Sequence, residues 1–321
     1  VTVDEHSPVL DAHVHVWDPA RLPYPWLAGV PALNRPVTLD ERADGDPRTR
    51  WCLLVEADAR RDQALAEAGF MVELARSSGR DASRTDVADR PDSPPGPPGE
   101  SGQRPDPAPE VVGVVAAVDL RSPTLAADLC ALLALGQVVG VRHLLQHEPD
   151  GALADPLLAR GLAVVAEAGL VFDACVRHEQ LDALVRLLAA SPATRVMLDH
   201  LGKPPVRAGL GSPSGAAWAH AIDRLAARPE TWVKLSGLAP ECASRDELDR
   251  HGGDLLRHAL AAFGPDRAVL ASDWPVSATL GAAVTPAEWW TWVATEADLG
   301  PAGWRAVAEG TARRAYRLSH A

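Results

Sequence analysis

The strongest constraint on this chain is a rhythm in which short apolar runs alternate with longer segments of helical spacing. After an opening run at Val9–Val16, Trp51–Glu56 is followed by the helical pattern of Arg60–Ala75 and Val111–Val118 by Pro123–Leu135. Val138–Leu145 precedes Pro156–Ala168, Leu170–Val176 precedes Leu181–Ala190, and Arg195–Asp199 precedes Ala216–Ala227. Thr231–Leu235 leads into Asp246–Phe263, and Arg267–Ala271 leads into Pro286–Ala297 and Pro301–Leu318. Continuous apolar runs such as Val111–Val118 are characteristic of strands covered on both faces. Eight strand-helix units in 321 residues predict one α/β domain, a (β/α)8 TIM barrel whose active site lies at the C-terminal ends of the strands. An open doubly wound sheet would carry a Gly-rich phosphate loop after its first strand, and here that turn holds His13 and His15 instead.

One segment breaks the rhythm. Eight prolines lie between Pro91 and Pro109 among Asp, Ser, Gly and Arg, and residues 78–109 read as a mobile Pro-rich insertion between the second helix and the third strand. A loop of this length adds only slowly to closure entropy, so it leaves the barrel intact.

Composition excludes several partner classes. A net charge of −12 without a Lys/Arg cluster disfavours nucleic acid and anionic membranes. No run of about 18 apolar residues predicts a membrane span, and the acidic opening residues do not resemble a signal peptide. Cys52, Cys130, Cys175 and Cys242 are widely spaced, which fits reduced thiols, argues against a thiolate zinc site and predicts a cytoplasmic protein.

Polar residues cluster where strands end. In an extended strand His13 and His15 share a face. Asp199-His200-Leu201-Gly202-Lys203-Pro204 closes the sixth strand, Lys234-Leu235-Ser236-Gly237 the seventh and Ser272-Asp273-Trp274-Pro275 the eighth. Because the first and last strands of a barrel are neighbours, His13, His15, His200 and Asp273 are expected to meet at one mouth. Such imidazoles can hold a metal ion or hydrogen-bond a substrate oxygen, and a carboxylate among them can take a proton from water. For Asp273 to act as a base, burial must raise its pKa or a metal must acidify the water. Arg142 offers a fork for a substrate carboxylate or hydroxyls, and Lys203 a cation that fits either the site or its rim. Trp17, Trp26 and Trp274 are candidates to stack on a ring, His143 is expected on the face opposite Arg142, and Arg177 and His178 are equal candidates to reach the mouth.

Together Ala12-His13-Val14-His15-Val16-Trp17-Asp18-Pro19, Tyr24-Pro25-Trp26-Leu27, Gly140-Val141-Arg142-His143 and the motifs ending strands six to eight resemble the amidohydrolase-related branch of the amidohydrolase superfamily. More narrowly they are similar to L-fuconolactonase-like and 2-pyrone-4,6-dicarboxylate lactonase-like hydrolases, from about Leu10 to Arg317. The resemblance implies opening of a small lactone, a sugar lactone or a carboxylated one, with His13, His15, His200 and Asp273 catalytic and Asp273 handling the water. Arg142, Gln146, Trp26, Lys203 and Trp274 are the expected substrate contacts. Strand four reads Arg142-His143-Leu144-Leu145-Gln146, without the Lys or Glu that bridges metals in many superfamily members, which argues against two metals. The expectation is therefore no required cofactor, or a single zinc on His13, His15 and Asp273. Two alternatives stay open, a metal-dependent nonoxidative decarboxylase of the same superfamily and a non-catalytic binding barrel. The oligomeric state is not legible.

Overall fold

A computed structural model describes residues 7–42, 46, 48–82, 108–149 and 151–318. Its strands are β1 (Val9–Val14), β2 (Thr49–Val55), β3 (Glu110–Ala117), β4 (Val138–Arg142), β5 (Val171–Ala174), β6 (Arg195–Leu198), β7 (Thr231–Leu235) and β8 (Ala268–Leu270). They pair in parallel in sequence order. The ring is completed by a parallel bridge between Val14 and Trp274, with Asp273 N–H donating to the His13 carbonyl (3.0 Å) and His15 N–H to the Trp274 carbonyl (2.8 Å). The expected TIM barrel is present, and closure itself brings the His13–His15 and Asp273 segments into contact.

Two apolar layers hold it. Leu10, Leu53, Val55, Val115, Val171, Met197, Trp232 and Val269 pack with Ala312, Ala315 and Tyr316 of the last helix, Thr311–Tyr316. A second, larger cluster joins the strands to the surrounding helices through residues such as Leu54, Phe172, Leu184, Leu256 and Trp290. Burying each such side chain contributes roughly 1.5–3 kcal/mol.

Helix boundaries follow local capping chemistry. The helix expected at Ala216 begins at Pro213 because Ser212 caps it, accepting from Gly215 N–H with proline at the first position. Thr285 and Glu288 form a reciprocal capping box for Pro286–Ala297. Two expectations need correction. The first unit has no long helix; after β1 come short 3₁₀ turns and Leu39–Arg42. The second helix spans Ala64–Ala82, past Ala75 and into the stretch 78–109 assigned to the insertion, and the rest of that stretch up to 107 lies outside the described residues. Among the described residues no helix is long and apolar enough to cross a membrane.

Candidate active site

His13 is fully buried at the end of β1 and His15 nearly so just beyond it. His15 Nδ1 lies 2.9 Å from the Val55 carbonyl, which can only accept, so Nδ1 carries the proton and Nε2 presents its lone pair. His13 Nδ1 lies 3.0 Å from the Lys234 ammonium, which can only donate. His13 Nε2–H then donates to His15 Nε2 at 3.0 Å. Burial, reinforced by the Lys234 charge, holds His13 well below the usual imidazole range and keeps it neutral.

β7 supplies Lys234 from a strand of apolar neighbours, and its charge is compensated inside the barrel. Lys234 Nζ is 2.5 Å from Asp173 Oδ2 on β5 and 2.9 Å from Asp199 Oδ1 after β6. Burial alone would lower the ammonium pKa, but the two carboxylates outweigh it and raise it. Tyr316 from the last helix donates its hydroxyl to Asp173 at 2.8 and 2.9 Å. A polar column therefore runs from the closed end of the barrel to His13. Alongside it Arg142 pairs with Glu56 and with Asp199 Oδ2 (3.4 Å), and donates to the Glu56 carbonyl (2.6 Å).

His200 occupies a left-handed backbone position (φ 53°), with Nδ1 2.9 Å from Ser236 Oγ. Its ring is packed against Gly237 (φ 67°), where a Cβ would lie 2.5 Å from the imidazole, so the position requires glycine on both counts. Burial lowers the His200 pKa to about 4, against the opposing pull of Asp273 and Asp199.

Asp273 also has positive φ (59°), and the segment around it is braced. Asp11 accepts from Ser272 N–H (2.8 Å), Ser272 Oγ (2.6 Å) and Arg42 Nη2 (2.8 Å). Ser277 donates to Asp273 Oδ2 at 2.9 Å. The other oxygen, Oδ1, faces the Nε2 atoms of His13, His15 and His200 at 3.8, 3.7 and 3.7 Å. Burial pushes this carboxyl upward, but His200, His15 and His13 outweigh that and hold it well below the usual carboxylate range. Asp273 therefore gains no basicity from burial, the first of the two routes open to it; the other is a water acidified by a metal.

These atoms have the spacing of a donor set for one ion. The three gaps to Oδ1 exceed hydrogen-bond length but fall within twice a typical metal–ligand bond of about 2.0–2.2 Å. Ligand atoms of His13, His15 and Asp273 lie within 4.8 Å of one another, as do those of His13, Asp199 and His200. In the tautomer set by the Val55 carbonyl His15 offers Nε2 as a lone pair, whereas His13 Nε2 would give up the proton it shares with His15. The residues fit a single divalent ion. Asp199, committed to Lys234 and Arg142, is a poorer candidate.

Above them opens a cavity of about 320 Å³ lined by His15, His200, Asp273, Arg142, Gln146 and Lys203, with Trp17 and Trp26 on its apolar side. Lys203, also at positive φ (48°), sits 3.6 Å from Glu241. Trp26 donates its indole N–H to the Ala57 carbonyl at 2.7 Å. Two expectations are not met, one for Trp274 and one for Arg177 and His178. Trp274 is buried and does not line the cavity, because its backbone completes the barrel. Neither Arg177 nor His178 lines it: Arg177 donates to the Gln146 carbonyl and His178 Nδ1 lies 3.1 Å from that of Lys203. His143 is buried away from the cavity, accepting from Leu120 N–H at 3.1 Å with Glu148 3.2 Å away. Glu56, Asp58 and Asp173 were missed. A lysine in the apolar β7 was a usable signal for Asp173, since a buried cation needs a partner.

A closed parallel barrel with imidazoles and a carboxylate gathered at its C-terminal mouth is a hydrolase-type architecture. The chain belongs to the amidohydrolase family, Amidohydro_2, whose model matches residues 10–318. It is 34% identical over 211 residues to an L-fucono-1,5-lactonase of Burkholderia ambifaria, covering 65% of this chain and 71% of that one. An L-fucono-1,5-lactonase of Burkholderia multivorans is 31% identical over 327 residues, covering 96% of each. Among solved structures, an amidohydrolase from Burkholderia multivorans with bound zinc superposes with a TM-score of 0.75 at 30% identity, over 98% of this chain and 100% of that one.

Proposed function

We propose that this protein opens the ring of a small neutral lactone, a sugar-acid lactone of the type named for its Burkholderia relatives. The observation that carries the reading is the convergence of three imidazole nitrogens on one unprotonated carboxylate oxygen at the floor of a partly aromatic cavity. Near-full-length similarity to an L-fucono-1,5-lactonase supports it.

Charge favours a neutral ring over a dicarboxylated one. Both lining cations already have acidic partners, Arg142 in Glu56 and Asp199, Lys203 in Glu241. The lining acids Asp58 and Asp273 repel an anion. The same argument counts against decarboxylation, whose acidic substrate needs an available cation.

In the proposed reaction, water attacks the lactone carbonyl carbon while Asp273 Oδ1 accepts its proton. His200, with the Ser236 hydroxyl on Nδ1, directs Nε2–H at the carbonyl oxygen as it becomes an oxyanion. The C–O ring bond then breaks, and the ring oxygen receives the proton from Asp273, giving an open hydroxy acid. A carboxylate held this low is a weak base. A divalent ion on His13, His15 and Asp273 would, when bound, supply a water of near-neutral pKa.

A panel of neutral and carboxylated lactones followed with a pH indicator tests the reading, run beside metal analysis and chelation of the purified protein. One acid equivalent per neutral ring is expected. Carbon dioxide release without ring opening would overturn it. Activity abolished by chelation and restored by zinc would establish the ion, and full activity at sub-stoichiometric metal would exclude a need for it.

A further inference from the structure

The loop after β2 carries a carboxylate that the proposed chemistry does not use. Asp58 lines the cavity, yet among the described residues its side chain has no hydrogen bond or ion pair. Its neighbours do. Ala57 N–H donates to Glu67 Oε1 (3.0 Å), the Ala57 carbonyl accepts from Trp26 (2.7 Å), and Arg60 N–H donates to the Pro23 carbonyl (2.9 Å). Asp58 N–H itself donates to Glu56 Oε2 at 2.7 Å, and Glu56 is held by Arg142. This anchoring keeps Asp58 at φ 57°, a left-handed position uncommon for residues other than Gly, Asn and Asp. A buried ion pair thus fixes the backbone from which an unpartnered carboxylate enters the pocket.

The other polar groups on this side are already engaged. Gln146 Nε2 lies 3.1 Å from His147 Nε2, and Gln146 Oε1 accepts from Cys175 Sγ at 3.5 Å. A carboxylate has two acceptor oxygens, suited to two adjacent hydroxyl donors and repelling a ligand carboxylate.

Resting on lactone hydrolysis as proposed above, we infer that Asp58 is the specificity-determining residue of this site, accepting hydrogen bonds from ring hydroxyls of a polyhydroxylated lactone. Its backbone is pre-positioned, so a hydroxylated ring gains a charge-assisted bond with little ordering of the loop. A ring without hydroxyls leaves the carboxylate without a ligand partner.

The test compares the wild type with Asp58→Asn and Asp58→Gly on L-fucono-1,5-lactone and on δ-valerolactone, the same ring size without hydroxyls. Asn and Gly both tolerate positive φ, so the turn survives while the charge, or the whole side chain, is removed. In both variants KM for the hydroxylated lactone should rise about 10- to 100-fold, the range expected for losing a hydrogen bond to a charged group. The ratio of kcat/KM for the hydroxylated ring to that for the plain ring should fall by a similar factor. An unchanged ratio, including an equal loss on both rings, would overturn the role of Asp58 and leave lactone hydrolysis standing. If the wild-type protein opens neither ring nor any other lactone, both readings fall.

Discussion

Lys234 Nζ stands 3.0 Å from His13 Nδ1 and 2.5 Å from Asp173 Oδ2, so one buried ammonium joins the histidine cluster at the strand ends to the closed end of the barrel. It is a positioning residue. Its donation to Nδ1 places the His13 proton on Nε2 and orients the ring toward His15 and Asp273, while its charge compensates Asp173 and Asp199.

Replacing it tests both roles. Lys234→Met keeps much of the volume but leaves two buried carboxylates without their shared cation, which should destabilise the fold by roughly 3–5 kcal/mol. Adding Asp173→Asn should recover part of that loss, because one orphaned charge is removed. Urea unfolding of both variants is the measurement; a double variant no more stable than the single would show that the pair is not coupled.

Asp273→Asn retains the shape and the positive φ but removes the proton acceptor. The turnover number should fall roughly 10²–10⁴-fold with KM nearly unchanged, as for loss of a general base. Steady-state kinetics on the best lactone decide it, and a fully active Asn variant would refute both the metal-free and the metal-assisted versions of the chemistry.

Gly237→Ala acts on His200 without touching it chemically. The new methyl would fall 2.5 Å from the imidazole, in a backbone conformation unfavourable to alanine. The ring must move, and displacements of about 1 Å in such a group cost on the order of 10²-fold in rate. A large fall in kcat with only a modest change in melting temperature is expected; unaltered kinetics would mean that His200 has room to spare.

Much of this arrangement was legible beforehand. The eight apolar runs predicted the barrel because strands buried on both faces leave an unbroken hydrophobic signature, and Thr231–Leu235 has the boundaries that spacing suggested. His13, His15, His200 and Asp273 could be grouped because barrel closure makes the first and last strands neighbours. The partners beneath them were harder to see. Asp173 and Lys234 lie 61 positions apart, and Glu56 and Arg142 86 apart, so only the three-dimensional register shows which charge meets which. Trp274 was misjudged for a related reason: a tryptophan beside the aspartate proposed to handle water has a pattern suited to stacking, but here its backbone bridges to Val14 and the side chain is buried. Asp58 left no signal, since a lone acid in a loop is unremarkable until its neighbours are known to be engaged.

Glu67 gives the clearest dependence of stability on pH. Its carboxylate oxygen accepts from Ala57 N–H at 3.0 Å beneath the Asp58 turn. Burial, and next the nearby Glu56, push its pKa from 4.5 to about 8. Between those values the folded chain holds a proton that the unfolded chain has released, so stability falls as pH rises through this window, and the loss is complete once both forms are ionised. At about 1.4 kcal/mol per pH unit the contribution is on the order of 3–5 kcal/mol. Glu67→Gln imitates the protonated acid, keeps an oxygen for Ala57 N–H and cannot ionise. Relative to the wild type, the variant should gain stability steadily from about pH 5 to pH 8 in urea unfolding. Parallel stability curves for the two proteins across that range would show that Glu67 is already ionised in the fold.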